Sequence, residues 1–318
     1  MTALRWGIMG TGGIARTMAG VLDSTDREVT AVGSSRGGPA SELAGELRSC
    51  RVLPSHEAVA AAEDVDVVYV ATTNDRHYAN VLSCIEHGKA VLCEKPLGRN
   101  MQEARELVRA SKGANVFLME AMWMRFQPFF TALEQIIADD TVGPVGYVQA
   151  NFSHLADTDR RRRWMNADLG GGAMADIGVY PLNLALFLLG RPLETTSQAT
   201  IGPTGVDLET RVLSRHANDS VAVLSASFIN TAPSAGLIAG PAGSIAISPP
   251  LQHSRMLTVH QTGREPTVID VAEDGHGFRH EVDEVERCVR AGRIESELLP
   301  HSHTVAVAEW LDAIRACP

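Results

Sequence analysis

At 318 residues and 34.1 kDa the chain is long enough for two domains of roughly 100–200 residues each, and its 45% apolar and 21% charged residues exclude disorder as the main state. With 28 basic and 38 acidic residues the net charge is −10, which argues against a nucleic-acid or anionic-membrane partner, since both need a basic footprint. The most apolar stretch, Pro181–Leu189, is nine residues long and contains Asn183, well short of the roughly 18 uninterrupted apolar residues of a membrane span, so no transmembrane helix is expected.

The chain runs within five residues into a strand, Arg5–Met9, with no charged-then-apolar leader, and no signal peptide is expected. Gly13–Leu22 opens a helix, Glu28–Gly33 is a strand, and Pro39–Arg48 is a helix with proline in its first turn. The run Asp66–Ala71 reads as a strand buried on both faces, followed by a helix at Asp75–His87 that Gly88 closes. Ala90–Cys93 is a strand, Asn100–Ser111 a helix, and Asn115–Met119 a strand. This alternation predicts βαβ units and a doubly wound parallel sheet over residues 1–122.

From residue 123 to 318 the pattern changes. Phe126–Ala138 reads as a helix and Val145–Ser153 as a strand, and the loop Gly170–Gly172 leads into an apolar helix, Ala173–Leu189. Period-2 runs follow at Ser197–Ile201, Glu209–Ser214, Val221–Ile229, Ala235–Ala239, Ser244–Ile247, Met256–His260 and Thr267–Val271. They predict a second, α+β domain with a large open, mainly antiparallel sheet. Helices at Phe278–Arg290 and Thr304–Ala316 close the chain. Its five cysteines, Cys50, Cys84, Cys93, Cys288 and Cys317, are scattered with no CxxC pair, which suits reduced thiols in a cytoplasm.

Gly10-Thr-Gly12-Gly13-Ile14-Ala15 fits GxGxx(G/A) directly after a strand and at the opening of a helix. The first glycine allows the tight turn, the second lets a pyrophosphate approach the helix N-terminus, and the small last residue lets helix and strand pack closely. Together with the βαβ series this is a Rossmann dinucleotide site. An NAD site places an acid at the end of the second strand, whereas this chain has Gly33-Ser34-Ser35-Arg36. Hydroxyls and a guanidinium suit a 2′-phosphate, so NADP(H) is favoured over NAD(H).

Lys95, in Cys93-Glu94-Lys95-Pro96-Leu97-Gly98, follows a sheet strand at the end where α/β proteins bind ligands. The chain has only three lysines, Lys89, Lys95 and Lys112, so a chance lysine inside a motif is less expected here than in a lysine-rich chain. An ammonium there can polarise a carbonyl and stabilise a developing alkoxide. Asp176 and Tyr180 stand i, i+4 in a predicted helix, on one face.

Three motifs in order resemble the glucose–fructose oxidoreductase / inositol dehydrogenase / rhizopine catabolism family: Gly10–Ala15, Glu94-Lys95-Pro96, and Gly170-Gly-Gly-Ala-Met-Ala-Asp176-Ile-Gly-Val-Tyr180-Pro181. The stretch Met119–Pro128 and the ending Trp310–Arg315 are similar to the dihydrodiol and xylose dehydrogenase branch. The resemblance implies reversible hydride transfer between nicotinamide C4 and a secondary alcohol or ketone of a sugar, polyol, cyclitol or cyclic diol. It implies that Tyr180 donates or accepts the proton, that Lys95 lowers the cost of its ionisation, and that Asp176 binds a substrate hydroxyl or orients the donor. It also implies a homodimer built on the open sheet, and a last helix, 304–316, that returns to the first domain.

In Ala71-Thr72-Thr73-Asn74-Asp75-Arg76-His77 the family often has proline where Thr73 stands. The resemblance implies cofactor contacts from Thr72, Asn74, Glu94 and Lys95. For His77, nicotinamide- or substrate-side positioning and helix capping both stay open. Trp123, Arg125 and Phe126 either line the substrate pocket or pack in the core. The run Arg160–Arg163 reads as a solvated loop, with contact to an anionic group as the alternative. His276/His280 and His301/His303 lack accompanying ligands, and no metal is expected. A second class of function, a cofactor-sensing protein that has lost its chemistry, shares this fold, but has no use for both Lys95 and Tyr180.

Overall fold

The computed structural model describes residues 3–34, 37–157, 159, 162–273 and 275–316. In chain order, the first elements are strand β1 (Arg5–Met9), helix α1 (Gly13–Ser24), β2 (Glu28–Gly33), α2 (Gly37–Gly45), β3 (Arg51–Leu53) and α3 (His56–Ala60). Next come β4 (Val67–Val70), α4 (Asn74–Glu86), β5 (Ala90–Glu94), α5 (Met101–Ala114) and β6 (Leu118–Ala121). They are followed by α6 (Pro128–Ala138), β7 (Tyr147–Ser153), α7 (Val179–Leu189), β8 (Glu194–Ile201), β9 (Asp207–Arg215) and β10 (Val221–Ser227). The last are β11 (Gly236–Gly240), β12 (Gly243–Ile247), β13 (Met256–Gln261), β14 (Thr267–Asp270), α8 (Phe278–Arg290) and α9 (His301–Ala316).

The chain forms two compact units. One holds the residues up to Met122 with His276–Thr304, and the other Trp123–Gly275 with the residues from Val305 on. The segment that rejoins the first unit is therefore 276–304, with α8. The last helix was expected there, but from Val305 onward it belongs to the second unit. There Trp310 Nε1 donates to Thr195 Oγ1 at 3.1 Å, and Ser197 Oγ donates to the Ile314 carbonyl at 3.1 Å.

In the first unit six parallel strands run in the order β3-β2-β1-β4-β5-β6. All four residues of β4 are buried, as expected of a central strand covered on both faces. The order reverses between β1 and β4, which places a ligand crevice at the carboxyl ends of those strands. Strand β3 and helix α3 lie outside the sequence-based expectations. A three-residue edge strand with two exposed residues and a five-residue helix are too short to show a period.

In the second unit eight strands run β14-β13-β12-β11-β7-β10-β9-β8, antiparallel except for the pair β7 and β10. Val148, Ala222, Ile238 and Ile245 adjoin in register on one face, fully buried, and α7 packs on β7 and β10. On the other face Leu213, Val223 and Leu237 align through Gln149, at 54%, 38% and 36% exposure. That face carries an open apolar row.

The run Ala167–Leu189 bears on two expectations. Its mean hydropathy of 1.5 makes it long and apolar enough to cross a membrane by length and composition, although 78% of the window is buried in the unit. Its α7 portion is apolar all round because β-sheet covers it, as in a core helix. Nor is it one α-helix: Met174–Gly178 is wound as a π-helix before α7 begins. A Cβ at Gly178 would lie 2.2 Å from Met174 Sδ and 3.1 Å from Ala226 Cβ, so glycine allows this close approach to β10.

Candidate active site

The loop after β1 is built for an anion. Gly10 has φ +111°, and a Cβ there would lie 2.5 Å from the Ala71 carbonyl oxygen. Its N–H donates to the Gly33 carbonyl at 2.9 Å, so the turn ties together the ends of β1, β2 and β4. Gly12 caps α1 without a side-chain bond, and a Cβ at Gly12 or Gly13 would meet nothing within 4 Å. The helix N-terminus is therefore open, and its N–H groups fit a pyrophosphate. Ala15 is fully buried where α1 meets the sheet, and Ile14 is 40% exposed. Ser34, at the end of β2, is buried; Ser35 and Arg36 lie outside the described residues.

At the end of β5, Tyr69 Oη donates to Glu94 Oε1 at 2.5 Å, and the Lys95 backbone N–H donates to Glu94 Oε2 at 3.3 Å. The Glu94 side chain thus turns under the sheet end while Lys95 is half-buried beyond it. His77 is fully buried, with Nδ1 2.8 Å from the Pro96 carbonyl and Nε2 3.1 Å from the Thr72 carbonyl. It joins two loops rather than capping α4, whose cap is Thr73. The Thr72 hydroxyl accepts from Asn80 Nδ2 at 3.1 Å, and Asn74 is buried in the first turn of α4. Glu120, on β6, accepts the Leu97 N–H at 2.9 Å. Burial pushes its carboxyl up to about 7, against the pull of the Leu97 N–H, the Thr304 hydroxyl and the Lys95 charge.

In the second unit Tyr180 is 6% exposed, and its oxygen accepts a hydrogen bond from Trp123 Nε1 at 2.9 Å. The Trp123 ring stacks on His253 at 5.2 Å, and Phe152 lies 5.5 Å from the Tyr180 ring. Asp176 is held by Arg163 at 3.0 Å, on the π-wound turn, so the i, i+4 geometry of an α-helix does not relate it to Tyr180. The glycine loop before them is obligatory. Gly172 has φ +119°, and a Cβ there would lie 2.2 Å from Asp207 Oδ1, whose partner Oδ2 accepts the Met174 N–H at 2.8 Å.

Of the three branch-motif residues, Trp123 bonds to this centre, and Arg125 and Phe126 are buried. The Arg125 guanidinium lies 4.2 Å from the Phe130 ring and 4.1 Å from that of Phe187, with Glu134 at 3.6 Å, and burial lowers its pKa to about 10. Of the arginine run, Arg160 and Arg161 lie outside the described residues, and Arg162 pairs with Asp157 at 2.7 Å. Among the described residues no three His, Cys, Asp or Glu side chains group as a metal site.

Residues 4–122 match the model of an oxidoreductase family with an NAD-binding Rossmann fold, and residues 130–246 match the GFO/IDH/MocA C-terminal domain. The chain belongs to the GFO/IDH/MocA oxidoreductase family. It is 32% identical to trans-1,2-dihydrobenzene-1,2-diol dehydrogenase of Mus musculus, over 98% of this chain and 96% of that one. It is 31% identical to the D-xylose 1-dehydrogenase (NADP(+)) of Hypocrea jecorina, over 97% of this chain and 90% of that one. Among solved structures, a 3-ketoreductase from Actinomadura kijaniata in complex with NADP and TDP-benzene superposes with a TM-score of 0.89, at 22% identity, over 99% and 98% of the two chains.

Two buried acids of this GFO/IDH/MocA chain were missed by sequence reasoning. Glu120 interrupts the otherwise apolar β6, and Glu281 occupies a place in the buried stripe Phe278, Val282, Val285, Cys288 of α8. A charge at a core position of a periodic element was the available signal. Among the described residues neither Glu281 oxygen has a hydrogen-bond partner, and burial, with Glu94 nearby, raises its pKa well above the ordinary value. A carboxyl held protonated when folded but ionised when unfolded contributes stability that is complete below the unfolded pKa and is lost as pH rises. The loss is about 1.4 kcal/mol per pH unit while the folded group stays neutral. Urea unfolding of wild type and Glu281→Gln should therefore diverge as pH rises from 5 to 7, with wild type losing stability relative to the variant. Parallel pH profiles would refute this protonation state.

Proposed function

We propose that the chain is an NADP-dependent dehydrogenase/reductase that acts on a secondary alcohol or ketone of a sugar, polyol, cyclitol or cyclic diol. The observation that carries the reading is the Trp123–Tyr180 hydrogen bond. An indole N–H only donates, so it takes a lone pair of the phenol oxygen and leaves the phenol proton for a different acceptor. It also favours the phenolate that proton donation would leave. Tyr180 then serves as the proton donor to the substrate oxygen, and Lys95 supplies the positive charge that this oxygen needs. Asp176, oriented by Arg163, would take a substrate hydroxyl.

The Gly10–Ala15 loop and the N-terminus of α1 would hold the pyrophosphate, with Thr72 and Asn74 near the nicotinamide half. Bound there, the nicotinamide supplies or accepts the hydride. The names of the two curated relatives support a diol or sugar substrate. The test is a panel of aldoses, inositols and cyclic diols followed by NADPH absorbance in both directions. Turnover of none of them, with cofactor bound, would favour a sensor over an enzyme.

NADP preference is supported by the absence of an acid after β2, by Ser34 at its end, and by the NADP(+) in the name of the xylose dehydrogenase. Arg36→Ala should weaken NADP binding by roughly 1–3 kcal/mol, the worth of a charge-assisted contact, and leave NAD nearly unchanged. Titration of both cofactors measures this, and equal weakening would count against a 2′-phosphate contact.

The apolar row Leu213, Val223 and Leu237 on the open sheet face supports a homodimer. Light scattering at micromolar concentration should return at least twice the 34.1 kDa of one chain. A monomer mass there would exclude it.

A further inference from the structure

The peptide group that joins Pro96 to Leu97, directly after Lys95, is held at both of its polar ends. Its carbonyl oxygen lies 2.8 Å from His77 Nδ1, and its N–H donates to Glu120 Oε1 at 2.9 Å. His77 comes from α4 and Glu120 from β6, so the elements on either side of β5 converge on one peptide plane. Both side chains are buried, at 0% and 5% exposure. A carbonyl only accepts, so His77 Nδ1 carries a proton in this arrangement. A carboxylate at that depth is costly, and a turn of ordinary purpose could take a neutral acceptor instead.

We infer that His77 and Glu120 are a positioning pair that fixes the Pro96–Leu97 peptide, and through it the direction in which Lys95 leaves β5. This rests on the proposed role of Lys95. The backbone between a pinned peptide and the Lys95 Cα has few free torsions, so the clamp limits where the ammonium can sit. Preorganisation of that kind is what an electrostatic group needs to act without rearranging during the reaction. The charges that face Glu120 are Lys95 and Glu94, with the Thr304 hydroxyl beside them.

The experiment compares Glu120→Ala, which removes the acceptor, with Glu120→Gln, which keeps an acceptor oxygen but no charge. Amide hydrogen exchange at Leu97 reads the clamp without reference to activity. It should speed up at least tenfold in Glu120→Ala and stay within threefold of wild type in Glu120→Gln. On the substrate that the panel identifies, Glu120→Ala should lower kcat tenfold or more with cofactor Kd within twofold, and Glu120→Gln should restore most of it. In a Lys95→Ala background the same Glu120→Ala change should cost less than twofold, since the clamp would have nothing left to aim. Unchanged Leu97 exchange, unchanged kcat, or an equal loss without Lys95 would each overturn the inference. If Glu120→Ala does not fold, His77→Phe, which fills the same volume without the bond to Pro96, carries the same expectations. Should Lys95→Ala alone keep wild-type turnover, the proposed role of Lys95 fails, and the exchange at Leu97 still reports on the clamp.

Discussion

Tyr180→Phe should lower turnover by roughly 10²–10⁴ and leave cofactor affinity unchanged, the usual worth of one general acid–base group. Reduction of a ketone leaves an alkoxide that must be protonated as it forms, and the phenol of Tyr180 is the proton source in the proposed reaction. A free tyrosine titrates at about pH 10, too high to act well as a base at neutral pH, so in the proposed reaction Trp123 Nε1, with the charge that Lys95 is proposed to supply, would favour its ionised form. Lys95→Ala should cost at least as much as Tyr180→Phe, because it removes charge stabilisation of the substrate oxygen as well. If both act on one proton transfer, the double variant should lose far less than the product of the two single losses. Single-turnover hydride transfer in the three variants, with cofactor binding followed by fluorescence, measures all of this. Near wild-type turnover in Tyr180→Phe would remove it as the donor.

Gly10→Ala should be the most damaging single methyl group in the first unit. At φ +111° an L side chain is strained, and the added Cβ would sit 2.5 Å from the Ala71 oxygen and 2.9 Å from its carbonyl carbon. Those are backbone atoms of the loop after β4, so no side chain can swing away to make room. The expected cost is roughly 3 kcal/mol or more, the sum of left-handed strain and overpacking. Since the Gly10 N–H also donates to Gly33, the ends of β1, β2 and β4 should part together. Cofactor binding should be lost even where the variant stays folded. By contrast, Gly12→Ala meets nothing within 4 Å and should cost little stability, yet it would intrude on the proposed pyrophosphate site. Thermal unfolding and cofactor titration of the two variants separate the effects. Equal stability losses would contradict this division of labour between the glycines.

Much of this was open to reading because it is local. The βα alternation of the first 122 residues, the period-2 runs of the large sheet and the glycine loop after β1 each express a constraint between near neighbours: a burial period, a turn, a required positive φ. Lys95 could be singled out for the same reason, since it sits at a fixed offset from a strand end, whereas the role proposed for Tyr180 rests on the family resemblance.

What tertiary structure alone decided has long-range causes. The face of α8 that carries Glu281 is periodic in the sequence, but only the fold shows that the carboxyl meets no partner there among the described residues. Arg125 reads equally as a pocket or a core residue until Phe130 and Phe187 are seen to close over its guanidinium. The Asp176–Tyr180 spacing suggests one helical face until the π winding changes the residues per turn, where Gly178 lets the chain press against β10. His77 and Glu120 stand 43 positions apart in the chain, yet they bond the two ends of one peptide. A period records which face of an element is buried. It carries no record of what the opposing element places there, because hydrogen bonds and desolvation are settled between residues that only the folded chain brings within reach.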